Sequence, residues 1–146
     1  MTLTRRWSTF TRLHRRIENH VERELHRCLG VGVREFHALT ALKEGASDAA
    51  GHLHFDELAD GMGLSRPATG RLVTRLRDRG LITTDASPRD RRDVDVRLTL
   101  VAQDVLRLGA PLLERAVEEA VRGLACEDTD PDLLRYLRGP AERPLG

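Results

Sequence analysis

The sequence predicts a mostly α chain with a small β-hairpin (α+β), arranged as a compact lobe between long terminal helices. Three observations predict it. Apolar residues recur every three or four positions over most of the 146 residues, the spacing of a single buried helix face. That pattern is interrupted once, where Val94, Val96 and Leu98 alternate with Asp95, Arg97 and Thr99 in the period of a half-buried strand. Turn chemistry at Asp85-Ala86-Ser87-Pro88 precedes the alternation and predicts that the chain reverses there.

The elements can be justified in order. Leu3, Trp7, Phe10, Leu13, Ile17, Val21, Leu25 and Cys28 form one stripe of a long first helix, which Gly30 and Gly32 end. A stripe this long exceeds what a small lobe buries, so it needs a partner helix, from this chain or from a second copy. Val33, Phe36, Leu39, Thr40 and Leu42 mark a second helix up to Gly45, and the small residues at 46–51 read as a loop. Asp56 is the expected cap of a third helix with Leu58, Ala59 and Met62 facing inward, broken at Gly63. Ser65 is the expected cap of a fourth, where Pro67 costs nothing in the first turn. In this fourth helix Ala68, Leu72, Val73 and Leu76 are expected inward, with Arg66, Thr69, Gly70, Arg71, Thr74 and Arg77 outward, and Gly80 ends it.

Leu81, Ile82 and Thr83 then read as a short strand pairing with the alternation from Val94, with 87–93 as the tip of the hairpin. Val101, Val105, Leu108, Leu112, Ala116, Val117, Val121 and Leu124 carry a long fifth helix, with a kink expected at Gly109 and Pro111. After a break at 126–129, Asp130 and Pro131 open a last helix bearing Leu133, Leu134 and Leu137. Two short helices joined by a glycine-containing turn form a helix-turn-helix. A hairpin directly after them makes the unit a winged helix-turn-helix, with residues 31–99 as the lobe and residues 1–30 and 100–146 as a dimerisation region.

Composition narrows the function. The formal charge is +1, but it is segregated: residues 1–43 carry nine basic and four acidic groups, and 44–64 carry none and five. Residues 65–97 carry nine and five, and 98–146 six and nine. A local basic stripe matters more to a polyanion than the total. Of the 24 basic residues 23 are arginines, whose planar fork suits phosphate and guanine edges. Two cysteines, Cys28 and Cys126, make neither a disulfide framework nor a zinc site, so both read as buried inert thiols in a reducing, cytoplasmic setting. No secretory or membrane-spanning segment is expected. His52 and His54 flank Leu53 without a ligand-spaced carboxylate or cysteine cluster, so no metal is expected. No nucleophile elbow, phosphate loop, zinc-protease helix or dinucleotide fingerprint occurs, so neither an enzyme nor a cofactor is expected.

Several separated elements together carry a resemblance. Leu64-Ser65-Arg66-Pro67, Arg71-Leu72-Val73-Thr74-Arg75-Leu76, Gly80-Leu81-Ile82, Asp90-Arg91-Arg92 and Val96-Arg97-Leu98-Thr99 resemble the multiple-antibiotic-resistance regulator (MarR) family of transcriptional regulators. The resemblance implies a homodimer whose terminal helices intertwine and whose two winged lobes grip pseudo-palindromic double-stranded DNA. The candidate DNA-binding residues of the recognition helix are Ser65, Arg66, Pro67, Thr69, Gly70, Arg71, Thr74 and Arg75, and those of the wing are Arg89, Asp90, Arg91 and Arg92. Arg92 is assigned the minor groove, and Asp90 is assigned to orient Arg92 and Arg75. Also implied is a repressor released by a small-molecule ligand from a cleft between the dimer helices and the lobe, with Trp7, His14, Phe36, His37 and Leu108 as candidate lining. The alternatives are a redox- or metal-responsive regulator of the same fold, or a nonspecific DNA-binding protein.

Overall fold

A computed structural model describes residues 2–45, 52–86, 94–125 and 131–139. The elements run α1 (Leu3–Leu29), α2 (Val33–Gly45), β1 (His52–His54), α3 (Phe55–Met62), α4 (Arg66–Asp78), β2 (Ile82–Ala86), β3 (Val94–Leu98), α5 (Leu100–Ala125) and α6 (Pro131–Arg138). The mostly helical class with a small sheet is therefore observed. The loop expected at 46–51, the hairpin tip at 87–93, Cys126 and Asp130 lie outside the described residues.

Local chemistry sets most boundaries. Thr2 Oγ1 accepts the Arg5 N–H at 3.3 Å to open α1, and Gly30 closes it at φ 66°, a left-handed conformation that costs glycine no Cβ clash. Helix α2 is capped from a distance, since the Val33 N–H donates to Glu22 Oε2 of α1 at 2.7 Å. The N-cap of α3 is His54, not Asp56. His54 is held extended by β1 and donates its N–H to Glu57 Oε1 at 3.1 Å, which moves the helix start one residue ahead of Asp56. Ser65 caps α4 as expected, its Oγ accepting the Ala68 N–H at 3.3 Å.

The sheet has the order β1-β3-β2, antiparallel throughout. Leu53 and Thr84 both face Val96 in register, and Ile82 pairs with Leu98, so one face of the sheet is apolar. The sequence reading contains no counterpart of β1.

Two apolar clusters hold the chain. Leu39, Leu42, Leu58, Leu72, Leu76, Ile82 and Val96 form the centre of the lobe. Val21, Leu25, Val31, Val33, Phe36 and Ala116 join α1 and α2 to α5. Each leucine fully buried in this way stabilises the fold by ~1.5–3 kcal/mol. Val105 and Leu106 of α5 pack against both clusters, so the lobe and the long helices share one helix as their spine. Helix α5 runs unbroken through Pro111. Gly109 serves packing there: a Cβ would overlap the Phe36 ring and lie 3.0 Å from Leu29 Cδ1.

Helix α1 divides along its length. Leu13, Val21 and Leu25 are buried, whereas Leu3, Trp7 and Phe10 are 82%, 64% and 55% exposed. Cys28 is also exposed, which corrects its reading as a buried thiol. The stripe continues from Leu25 to the half-buried Leu29, one turn on, and Cys28 sits beside it.

Candidate nucleic-acid interface

Helix α4 stands on the lobe with a core stripe of Thr69, Leu72, Val73 and Leu76. Thr69 is the exception to the expected outward set. It lies three and four residues before Leu72 and Val73, which puts it on their face, and it is fully buried. Its polarity is satisfied internally, because Oγ1 donates to the Ser65 carbonyl at 2.8 Å. Thr69 therefore presents nothing to a groove. Ala68 is half-buried at the edge of the stripe.

The opposite face carries Ser65, Arg66, Pro67, Arg71, Thr74, Arg75 and Arg77, all exposed, with Gly70 half-buried among them. The Thr74 hydroxyl donates to the Gly70 carbonyl at 2.9 Å, and Arg77 reaches Thr84 Oγ1 of β2 at 3.5 Å. Among the described residues, nothing outside its chain neighbours and its own helix backbone lies within 4 Å of where a Gly70 Cβ would stand. Arg66, the first residue of α4, is bound on α3: its Nη1 pairs with Asp56 Oδ1, and its guanidinium lies 5.2 Å from the centroid of the Phe55 ring. This face combines basic side chains and small residues, the chemistry that fits a polyanion. The wing residues Arg89, Asp90, Arg91 and Arg92 lie outside the described residues.

The strands beneath hold a cluster that sequence spacing did not reveal. Asp95 of β3 sits between two imidazoles of β1, with Oδ2 3.2 Å from His52 Nε2 and Oδ1 2.5 Å from His54 Nδ1. Partial burial pushes the Asp95 carboxyl up. The His52 hydrogen bond and the charges of both histidines outweigh that and hold it below the ordinary carboxylate range. The register His54↔Asp95 across the sheet brings this carboxylate to the two histidines. Among the described residues no group of three or more His, Cys, Asp or Glu side chains is arranged to hold a metal ion.

Two joints tie α4 and the lobe to the long helices. Arg79, just after α4, donates to the Gly30 carbonyl at the end of α1 and pairs with Glu35 Oε2 of α2 at 2.5 Å. The Thr99 hydroxyl donates toward the Gly80 and Leu81 carbonyls at 2.8 and 3.1 Å and accepts the Ala102 N–H at 3.2 Å. It joins the end of α4, the start of β2 and the first turn of α5. No local pattern marked Arg79, whose partners lie 44 and 49 residues away.

The candidate effector residues differ in burial. Phe36 is buried against Gly109, while Trp7, His14, His37 and Leu108 are exposed. Two clefts occur among the described residues. One of about 400 Å³ between α1 and α5 is lined by Arg16, Asn19, His20, Arg23 and Glu119, among others. Another of about 420 Å³ lies between Lys43 and residues 103–107 of α5. No described helix is long and apolar enough to cross a membrane.

The sequence model of the MarR family matches residues 29–93. No curated protein matches the chain in sequence. Among solved structures it is similar to Sco3205, a MarR family transcriptional regulator from Streptomyces coelicolor solved in complex with DNA. That match has 26% identity and a TM-score of 0.73 over 90% of this chain and 78% of that one. It is similar to AbsC, a MarR family regulator from the same organism, at 21% identity and a TM-score of 0.72 over 94% and 88% of the two chains. BpsR of Bordetella bronchiseptica, whose DNA binding is regulated by 6-hydroxynicotinic acid, shares the fold at 18% identity and a TM-score of 0.67 over 90% and 91%. The helix-turn-helix and β2 thus lie within the segment that the MarR family model matches, and the chain shares its winged-helix fold and long helices with solved MarR family transcriptional regulators.

Proposed function

We propose that this chain is a homodimeric, sequence-specific DNA-binding repressor that leaves a pseudo-palindromic operator when a small molecule binds. The observation that carries the reading is the exposed face of α4, with Arg66, Arg71, Thr74 and Arg75 around the open backbone at Gly70. Such a face suits the major groove, where arginine forks pair with guanine O6 and N7. Arg89, Arg91 and Arg92 at the hairpin tip supply minor-groove and phosphate contacts, with Asp90 orienting Arg92 and Arg75. Sco3205, solved with DNA, supports a nucleic-acid partner.

Residues 1–30 and 100–146 make the dimer in this reading, and 31–99 the lobe. The exposed Leu3, Trp7 and Phe10 of α1 and Tyr136 of α6 are apolar surface that a second copy covers. Two lobes then meet successive major grooves about 34 Å apart on one face of the duplex. BpsR, regulated by 6-hydroxynicotinic acid, supports a small-molecule effector. An effector that binds better to a dimer with mis-spaced lobes releases DNA by linkage. No catalytic step is part of this function.

Selection of duplexes from a random pool, followed by footprinting and sedimentation of the complex, tests the proposal. An enriched inverted repeat bound by two chains is the expected result. Equal affinity for selected and random DNA at moderate salt would replace it with nonspecific binding.

A further inference from the structure

Arg66 differs from the other arginines of its face. Neither Arg71 nor Arg75 is engaged by another described side chain, whereas the Arg66 guanidinium is held by the Asp56 carboxylate and by the Phe55 ring. Both holders belong to the first turn of α3, whose start is fixed by β1 and by Glu57. The site is therefore anchored on two regular elements. We infer that Asp56 and Phe55 are positioning residues that fix the plane of the Arg66 fork, making Arg66 the residue that selects a guanine in each half-site.

The argument is one of geometry and of what an exposed ion pair is good for. Both side chains are about three-fifths exposed, 59% and 62%, and pairs of that kind add little to stability. Asp56 also brings a negative charge to a face proposed to meet phosphates, and 44–64 is already wholly acidic in its charged residues. What the pair does supply is order. An arginine left free must give up rotamer freedom when it docks, while one clamped by a carboxylate and stacked on a ring has done so in advance. A guanidinium carries five coplanar N–H donors. Asp56 engages one nitrogen, Nη1, and leaves donors for the coplanar acceptors O6 and N7 of guanine. An arginine without such a clamp can still neutralise phosphates but gives up more rotamer freedom when it reads a base.

This inference rests on the proposed DNA-binding function, and the experiment separates the two. Duplexes are selected with the wild type, then titrated by fluorescence anisotropy with the best duplex and with versions in which each guanine is replaced in turn. Wild type, Asp56→Asn, Asp56→Glu, Phe55→Leu and Arg66→Lys are compared at one salt concentration, after thermal melts establish that each is folded. The expected result is one guanine per half-site whose replacement weakens wild-type binding tenfold or more. That penalty disappears in Arg66→Lys, shrinks several-fold in Asp56→Asn and Phe55→Leu, and is recovered in part by Asp56→Glu. Random duplexes are bound as well or better by Asp56→Asn, which has lost a negative charge. An Asp56→Asn protein that binds every duplex more tightly with the guanine penalty intact overturns the inference, because Asp56 would then only compete with DNA for Arg66. A penalty untouched by Arg66→Lys also overturns it. If the wild type selects no motif, it is the function proposed above that has failed.

Discussion

Glycine in the middle of a helix needs a reason, and Gly70 offers a way to measure one. It is the fifth residue of the 13-residue α4, and among the described residues nothing outside its chain neighbours and its own helix backbone lies within 4 Å of its missing Cβ. Gly70→Ala therefore brings no clash to subtract from the gain in helix propensity, about 0.8–1 kcal/mol. A domain of this size responds to 1 kcal/mol with a rise in Tm of roughly 2–4 °C. On DNA the same methyl stands on the face proposed to enter the groove, where the backbone's closeness is the advantage of glycine. Specific affinity should fall tenfold or more while the free protein becomes more stable. Thermal melts at one fixed protein concentration and anisotropy titrations on a selected duplex measure the two effects separately. A variant that is more stable yet binds as the wild type does would refute the placement of Gly70 against DNA. One that is less stable would refute the reading of open space around it.

Three further substitutions probe the rest of the molecule. Gly109→Ala should have the opposite sign to Gly70→Ala, losing about 1–3 kcal/mol in urea unfolding through overlap with Phe36 and Leu29, and Phe36→Leu in the same chain should restore part of it. Replacing the exposed Leu3, Trp7 and Phe10 by serine should leave helix content unchanged and weaken dimerisation by about 3 kcal/mol or more, roughly 100-fold in sedimentation equilibrium; an unchanged dimer would assign that surface elsewhere. The Asp95 carboxyl is held below its ordinary range, so its contribution is fully present above the unfolded value near ~4 and is lost as pH falls through the lower folded value. The stability difference between wild type and Asp95→Asn should therefore shrink on acidification below pH ~4, and a difference constant across that window would show that Asp95 is not ionised against His52 and His54.

What the sequence disclosed was the chemistry that acts within a few residues. The Ser65 cap, the Pro67 position and the left-handed Gly30 are local events, and each stands where its residue type predicts. The fourth helix and the alternating strand are legible because their apolar faces repeat several times. Strand β1 is three residues long and too short to show a period; it exists through its pairing of Leu53 with Val96, a partner 43 positions away. The shifted start of α3 follows from the same cause, since pairing in β1 holds His54 extended. Thr69 was placed outside because hydroxyls prefer water, but a threonine that bonds the carbonyl four residues back can enter a core. Of the candidate DNA face, every helix residue except Thr69 is presented outward or at its edge, because a 3.6-residue period fixes a face once its buried side is known.

The long-range contacts that sequence could not show are also the ones that give the proposed regulation a physical path. The proposed recognition helix, α4, is not carried on a loose lobe. Glu22 of α1 caps α2 at Val33, Arg79 locks the end of α4 to the end of α1 and to Glu35, and Val105 and Leu106 of α5 belong to both cores. A lobe joined in this way is expected to move with its long helices as one body, because tightly packed interfaces rearrange between discrete states and do not stretch. In a dimer held by those same helices, the distance between two recognition helices is set by how the arms cross. An effector therefore has no need to touch α4. It needs only to prefer one crossing of the arms over another, and the operator affinity changes by at most the free energy of that preference.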